Sequence, residues 1–152
     1  MFHKILAGFD GSGHSRRAIQ VAIDLAVRYH AQLTLATVFS EAVGPGDADL
    51  AKLVPVGDEQ KPLRTQLREA LAEAQAKGVT EVEEVSIHGD VADALLQYLA
   101  GHPHDLVVVG SRGLSRGRRI FMGSVSSSLV TQAPCPVLVV RPTSRLTGRR
   151  SG

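Results

Sequence analysis

Short apolar runs alternate with longer amphipathic stretches along most of the chain, and the two patterns predict different elements. Short runs rich in Val, Leu and Ile and ended by turn-forming residues are typical of β-strands. Five such runs predict strands over residues 2–9, 31–39, 80–89, 104–111 and 136–141. Stretches with apolar residues three and four apart are typical of helices packed on a core. They predict helices over residues 15–30, 61–78, 90–101 and 123–133.

Particular residues indicate where the helices begin, end and face the core. We expect the first helix to bury a stripe made of Ala18, Ala22, Leu25 and Tyr29. Its start has two candidate caps, Ser12 and Ser15, and Asp90 is a candidate cap for the third helix. Gly78 suits the end of the second helix, because glycine adopts the left-handed conformation that often terminates helices.

The regular alternation of strands and helices predicts an α/β fold with a parallel sheet and helices on both faces. The run "DLVVVGS" is almost continuously apolar, as expected of an inner strand. The irregular alternation in "TEVEEVSIHG" suggests an edge strand. Ligands in such sheets bind beyond the carboxyl ends of the strands. The loops at residues 8–13, 38–60 and 110–123 are therefore the places to look for a site.

Length and charge fit one domain followed by a basic tail. The 152 residues suffice for a single sizeable core, which we expect to span residues 1–141. The formal net charge is +2, but residues 142–152 contain three arginines and no acid. Without this tail, which we expect to be disordered, the net charge is −1. The basic pI is thus a weak argument for nucleic-acid binding.

The sequence also bears on the cellular compartment. No apolar run reaches the roughly 18 residues that a membrane helix needs. The stretch "MFHKILAGFD" meets a charged residue at Asp10, so we expect no signal peptide. A single cysteine, Cys135, excludes an internal disulfide and a cysteine-based metal cluster, and we expect it to be a small buried thiol. We therefore expect a cytoplasmic protein.

The stretch "GSRGLSRGRRIFMGSVSSS" combines glycines, hydroxyls and arginines at the predicted carboxyl end of a strand. Gly110 and Gly113 could serve a positive φ or a close approach of the backbone. Gly123 and Ser124 begin a helix, whose unpaired N–H groups and partial positive charge suit a phosphate. The hydroxyls of Ser124 and Ser126 could donate to it. Further positive charge is available from Arg112, Arg116, Arg118 and Arg119.

The spacing Gly110-xx-Gly113-x9-Gly123-Ser124 resembles that of the universal stress protein family, in particular its ATP-binding branch. "DLVVVGSRG" before the motif, "APCPVLVVR" after it and the opening "KILAGFDGSGHSRRA" extend the resemblance over residues 2–141. The resemblance implies an open, Rossmann-like, five-stranded sheet with strand order 3-2-1-4-5. It also implies an adenine nucleotide across the ends of strands 1 and 4, with ATP as the expected ligand and Mg²⁺ as a candidate companion.

The resemblance assigns roles to individual residues of this sequence. Those matching the family's nucleotide site are Gly8, Phe9 and Asp10 on the adenine and ribose side, Val38 beside the adenine, Val109, Gly110, Arg112 and Gly113 in the ribose and phosphate loop, and Gly123, Ser124, Val125 and Ser126 at the phosphate-binding helix start. Phe9 departs from many members, and its ring could pack on the base or obstruct it. Asp10 could bind the sugar, hold Mg²⁺ together with the phosphates, or cap the first helix.

Other chemistry finds little support in the sequence. "GFDGSG" has the dinucleotide fingerprint in reverse order, and no GxxxxGK[ST] supplies a phosphate-binding lysine. The six histidines show no zinc-ligand spacing, and no GxSxG marks a nucleophile. The arginine-rich loop lacks the interleaved aromatics and the helical motif of a nucleic-acid binder.

Three functions remain open at this stage. The first is a nucleotide-dependent regulatory stress protein with little or no ATPase activity. The second is an enzyme that activates a substrate with ATP, although no SGGxDS motif follows the first strand. The third is a dimerising protein without nucleotide. We also expect a homodimer through the fifth strand, an apolar edge in the implied sheet formed by Val137, Leu138, Val139 and Val140.

Overall fold

A computed structural model describes residues 1–39, 63–111 and 124–141 of the chain. The five strands are β1 (Lys4–Gly8), β2 (Gln32–Phe39), β3 (Val82–His88), β4 (Leu106–Gly110) and β5 (Val137–Val140). The described helices are α1 (Gly13–Tyr29), α2 (Leu63–Ala76), α3 (Val91–Gly101) and α4 (Ser124–Gln132). Each predicted strand and helix is confirmed. The expected loop at 40–60 and the expected tail at 142–152 lie outside the described residues.

The five strands form one parallel sheet in the order β3-β2-β1-β4-β5. This confirms the predicted fold class and the order implied by the resemblance. β1 is central and pairs with β2 on one side and β4 on the other. β3 and β5 are the edges, so the expectation of an edge from the irregular pattern of β3 is also confirmed.

Both faces of the sheet are covered, which explains the apolar composition of the inner strands. On one face, Ile5 and Ala7 of β1 share a core with residues of α1 and α2. On the other face, Leu6 packs in a second core that includes Leu99 of α3 and Leu129 of α4. All four residues from Leu106 to Val109 of β4 are buried. A strand covered on both sides favours an unbroken apolar run over an alternating one.

The helix ends follow ordinary capping chemistry. Ser12 is the N-cap of α1, and its side chain accepts a hydrogen bond from the Ser15 backbone N–H at 3.2 Å. Of the two candidate caps, the structure therefore selects Ser12. Asp90 caps α3 as expected, accepting from the Asp93 N–H at 3.3 Å. Gly78 follows α2 with a φ of +110°, a conformation that strongly favours glycine.

The buried face of α1 differs from the predicted stripe. Ala18 and Ala22 are buried as expected, but Leu25 is only partly buried and Tyr29 is 38% exposed. Tyr29 packs edge-on against Phe2 at a ring-centroid distance of 5.2 Å. The buried positions are Ser15, Ala18, Ile19, Ala22, Ile23 and Ala26. α1 lies across both β1 and β4, and small residues along this wider face let the helix approach the sheet.

Two further sequence expectations concern burial. Cys135 is half-buried rather than fully buried, because it precedes the edge strand β5, where one side is left open. Partial burial raises the pKa of its thiol.

Among the described residues, no helix has both the length and the apolar composition needed to cross a membrane.

Candidate functional site

The carboxyl ends of β1, β2 and β4 meet at one edge of the sheet. The chain leaves β1 for β2 on one side, whereas β4 lies on the other side, so the crevice between β1 and β4 is the switch point. Pairing between these two strands runs as far as Ala7 and Val108. Gly8 and Val109 continue past it, and a Cβ on Gly8 would lie 3.3 Å from Val109 Cγ1. Val38 occupies the same end of β2.

The turn after β1 directs the Phe9 side chain into the core. The Phe9 N–H donates to the Ala36 carbonyl at 2.8 Å, which extends the ladder by one residue. Its side chain is 4% exposed and belongs to the core on the α1 and α2 face. A ring in this position offers a ligand almost no surface. A contact of Phe9 with a nucleotide remains a prediction.

Asp10 organises the loop between β1 and α1. Its Oδ1 accepts from the Ser12 N–H at 2.9 Å, while its own N–H donates to Ser15 Oγ at 3.2 Å. The capping role that the sequence left open for Asp10 belongs to Ser12. Gly11 completes the turn with a φ of +87°. Binding of sugar or Mg²⁺ by Asp10 remains a prediction.

A metal site built by the protein alone is absent from the described residues. They contain no group of three or more His, Cys, Asp or Glu side chains that could hold a metal ion. If Mg²⁺ binds near Asp10, phosphate oxygens and water molecules would supply further ligands, since this cation prefers oxygen and retains several waters.

Gly110 lies at the point where α1 approaches the end of β4. A Cβ on Gly110 would lie 2.8 Å from both the backbone C and O of His14 and 2.9 Å from its Cβ. Gly110 is not among the described glycines with a positive φ. Of the two reasons that the sequence offered for this glycine, the structure supports close approach, and the approaching group is α1.

Ser126 and Ser111 connect the end of β4 to its neighbours. Ser126 Oγ donates to the Gly110 carbonyl at 2.8 Å, and Ser126 is 3% exposed. The Ser111 N–H donates to the Val140 carbonyl of β5 at 2.9 Å, and Ser111 Oγ lies 3.5 Å from His14 Nδ1. Sequence reasoning missed Ser111 and the packing of His14, because these contacts join residues far apart in the chain.

The start of α4 brings backbone donors to the same region. The N–H groups of Ser124, Val125 and Ser126 belong to the first turn and have no acceptor within the helix. Val125 packs its partly buried side chain against the core on the α3 and α4 face. Arg112, Gly113 and Gly123 lie outside the described residues, as do the other three loop arginines. The roles predicted for them remain predictions.

Groups with shifted pKa values lie at the opposite, amino-terminal edge of the sheet. Asp105 accepts from the backbone N–H groups of His3 and Lys4, and these bonds lower its carboxyl pKa. His104 lies between the carbonyl of His102, 2.7 Å from Nδ1, and Thr34 Oγ1, 3.1 Å from Nε2. Burial lowers the pKa of His104. These groups join the starts of β1 and β4 to the rest of the fold, away from the crevice.

Known proteins share the sequence and the fold along nearly the whole chain. A sequence model described as "Universal stress protein family" matches residues 1–141. A universal stress protein from Thermus aquaticus, encoded in the 3′ region of a QAH/OAS sulfhydrylase, is 37% identical over 143 residues. The match covers 93% of this chain and all of the relative. Universal stress protein YxiE of Bacillus subtilis is 32% identical over 149 residues, with the same coverage of both chains.

One solved structure is similar to this chain in both sequence and fold. It is a universal stress protein in complex with cAMP, 33% identical to this chain, with a TM-score of 0.68. The superposition covers 91% of this chain and 97% of the other.

Proposed function

The chain belongs to the universal stress protein family, and on this premise we propose that it binds an adenine nucleotide, ATP in particular, at the crevice between β1 and β4. The observation that carries the proposal is the convergence on this crevice of Gly8, the end of β4 and the first turn of α4. Backbone donors and a helix N-terminus at a switch point are suited to a phosphorylated ligand.

In this proposal the two sides of the crevice bind different parts of the nucleotide. The turn from Gly8 to Asp10 and the backbone at Val38 take the adenine and ribose. The first turn of α4, together with Gly113 and Gly123, takes the phosphates, and Arg112 adds positive charge. Three or four hydrogen bonds to charged oxygens, each worth about 1.5–3 kcal/mol, are sufficient for micromolar affinity, which corresponds to about −8 kcal/mol.

We infer the class of the ligand from a similar protein of known structure. The structure in complex with cAMP, at 33% identity, supports an adenine nucleotide as the ligand class. The preference for ATP comes from the resemblance of the Gly110-xx-Gly113-x9-Gly123-Ser124 spacing to that of the family's ATP-binding branch. Mg²⁺ would accompany it, held by phosphate oxygens and Asp10.

A regulatory role suits this chain better than catalysis. The sequence has no P-loop lysine to reach the β- and γ-phosphates, and one carboxylate oxygen of Asp10 already accepts from the Ser12 N–H. We therefore expect weak stabilisation of a transferring phosphoryl group. We propose a cytoplasmic, nucleotide-dependent stress protein with slow or no ATP hydrolysis, acting as a homodimer paired through β5.

The decisive experiment is to extract the purified protein, identify any bound nucleotide, and titrate the stripped protein with ATP, AMP and cAMP by calorimetry. We expect micromolar ATP binding, which Gly123→Val abolishes by placing a branched side chain where phosphate approaches. Gly101→Val is the matched control, because a Cβ there meets no atom within 4 Å apart from its chain neighbours and the backbone of its own helix. Equal ATP affinity in wild type and Gly123→Val would contradict the site. Phosphate release at roughly 1 per second or faster would favour an enzyme instead.

A further inference from the structure

Three elements meet at the end of β4, at Gly110 and the residue that follows it, Ser111. Ser126 of α4 bonds the Gly110 carbonyl, His14 of α1 packs on Gly110, and the Ser111 N–H bonds Val140 of β5. We call these five residues the β4 junction. It lies directly beside the proposed nucleotide crevice, and each of its members is described by the structure.

The hydroxyl of Ser126 is committed within the junction. A serine hydroxyl carries one proton, and here it points to the Gly110 carbonyl at 2.8 Å. The residue is 3% exposed, which leaves almost no surface for a second partner. While this bond persists, the side chain cannot donate to a phosphate. The hydroxyl predicted from sequence as a phosphate donor therefore has a partner of its own within the fold.

The bond fixes the part of α4 that faces the crevice. Ser126 is the third residue of the helix, in the turn whose N–H groups lack intrahelical acceptors. The favourable field of a helix N-terminus falls off within the first turn. The N–H groups of that turn bond well only when they point at their acceptor. A small displacement of this turn from β4 would consequently weaken every bond that it makes to a ligand.

We propose that Ser126 is a positioning residue, whose hydroxyl holds the first turn of α4 on the Gly110 carbonyl so that the backbone N–H groups meet the phosphates. The hydroxyl acts without touching the nucleotide. The inference rests on the proposed function for its ligand, whereas the Ser126–Gly110 contact itself is independent of any ligand.

The test compares Ser126→Ala with Ser127→Ala, the same change at the next residue of α4, where the side chain is exposed. Two quantities are measured: urea unfolding of the nucleotide-free protein, and the affinities for ATP and adenosine. Losing the bond removes a hydrogen-bond partner of the Gly110 carbonyl, so we expect the folding equilibrium of Ser126→Ala to fall about tenfold. We also expect a several-fold loss of ATP affinity and a smaller change for adenosine. Ser127→Ala should match wild type in every measurement.

The possible outcomes separate the two roles of the hydroxyl. Weaker ATP binding with unchanged stability of the nucleotide-free protein would make Ser126 a direct phosphate donor and overturn the inference. Lower stability with unchanged ATP affinity would leave a purely structural serine and overturn it as well. If Ser126→Ala does not fold, Ser126→Cys, which keeps the shape and a weaker donor, is measured in the same way.

The proposed function has its own failure mode. A wild-type protein that binds neither ATP, AMP nor cAMP would refute it, and the positioning role would fall with it. The stability difference between the two alanine variants would still report on the Ser126–Gly110 contact alone.

Discussion

Gly110→Ala adds one methyl group at the place where α1 meets β4, and the structure sets the size of the effect. The new Cβ would lie 2.8 Å from the backbone C and O of His14. Carbon atoms pack best at about 3.5–4.0 Å, so the helix and the strand must separate by roughly 0.7 Å or more. His14 belongs to the first turn of α1, which Ser12 caps, and its backbone cannot rotate away. Overpacking of this kind costs about 1–3 kcal/mol.

Gly101→Ala is the matched control and should have the opposite sign. Gly101 is the last residue of α3, and a Cβ built there meets no heavy atom within 4 Å apart from its chain neighbours and the backbone of its own helix. Alanine in a helix is favoured over glycine by about 0.5–1 kcal/mol, because glycine loses more backbone freedom on folding. The two variants should therefore differ by about 1.5–4 kcal/mol, the sum of the two effects.

Urea unfolding of nucleotide-free protein, followed by far-ultraviolet circular dichroism, measures this difference. With a denaturant slope of about 1–3 kcal/mol per M, we expect the midpoint of Gly110→Ala to fall by about 1 M. Gly101→Ala should unfold at or above the wild-type midpoint. If Gly110→Ala unfolds with wild type but loses nucleotide affinity, the glycine serves the ligand and not the approach of α1, and the reasoning is wrong.

Two further predictions concern pH and assembly. Burial lowers the pKa of His104 below its ordinary 6.5, so its imidazole binds a proton more readily in the unfolded chain than in the folded protein. The free energy of unfolding therefore falls as the pH drops below about 6.5. Urea midpoints at about pH 7 and pH 5 should therefore differ less in His104→Gln than in wild type, and equal differences would contradict the assignment. The proposed dimer should dissociate in Leu138→Lys, because Leu138 of the edge strand β5 is 37% exposed. The control is Tyr29→Lys, whose side chain is similarly exposed on α1 and for which light scattering should still find a dimer. A Leu138→Lys protein that stays dimeric would count against pairing through β5.

The pattern of apolar and polar residues was sufficient to predict the strands and helices, because buried positions recur with the period of each secondary structure. β4 is covered on both faces and shows an unbroken apolar run, whereas β3, at an edge, shows an irregular one. The width of a buried helical face is harder to predict. α1 spans two strands and buries Ile19 and Ile23 beside its alanines, while Tyr29 is partly exposed and packs against Phe2. Strand order came from the family resemblance, since periodicity alone does not say which strands are neighbours.

Burial of the Phe9 side chain shows a second limit of sequence reasoning. Side chains alternate between the two faces of a strand. Phe9 directly follows the strand, and the sequence does not show whether the alternation continues that far, so it places Phe9 near the crevice without deciding where its ring points. One additional ladder bond, from the Phe9 N–H to Ala36, continues the strand geometry and turns the ring to the α1 side. That bond depends on where β2 ends, which is a tertiary property.

Gly110 shows why a glycine motif underdetermines its own chemistry. A glycine required by a ligand and a glycine required by a neighbouring helix are the same letter at the same place in the sequence. Here the group that excludes a Cβ is the backbone of His14, 96 residues earlier in the chain. The Ser126 hydroxyl, equally suited to a phosphate on sequence grounds, donates to the carbonyl of that same glycine. In the function we propose, the backbone N–H groups at the start of α4 bind the phosphates, and Ser126 and the Gly110 carbonyl contribute by fixing where that helix begins.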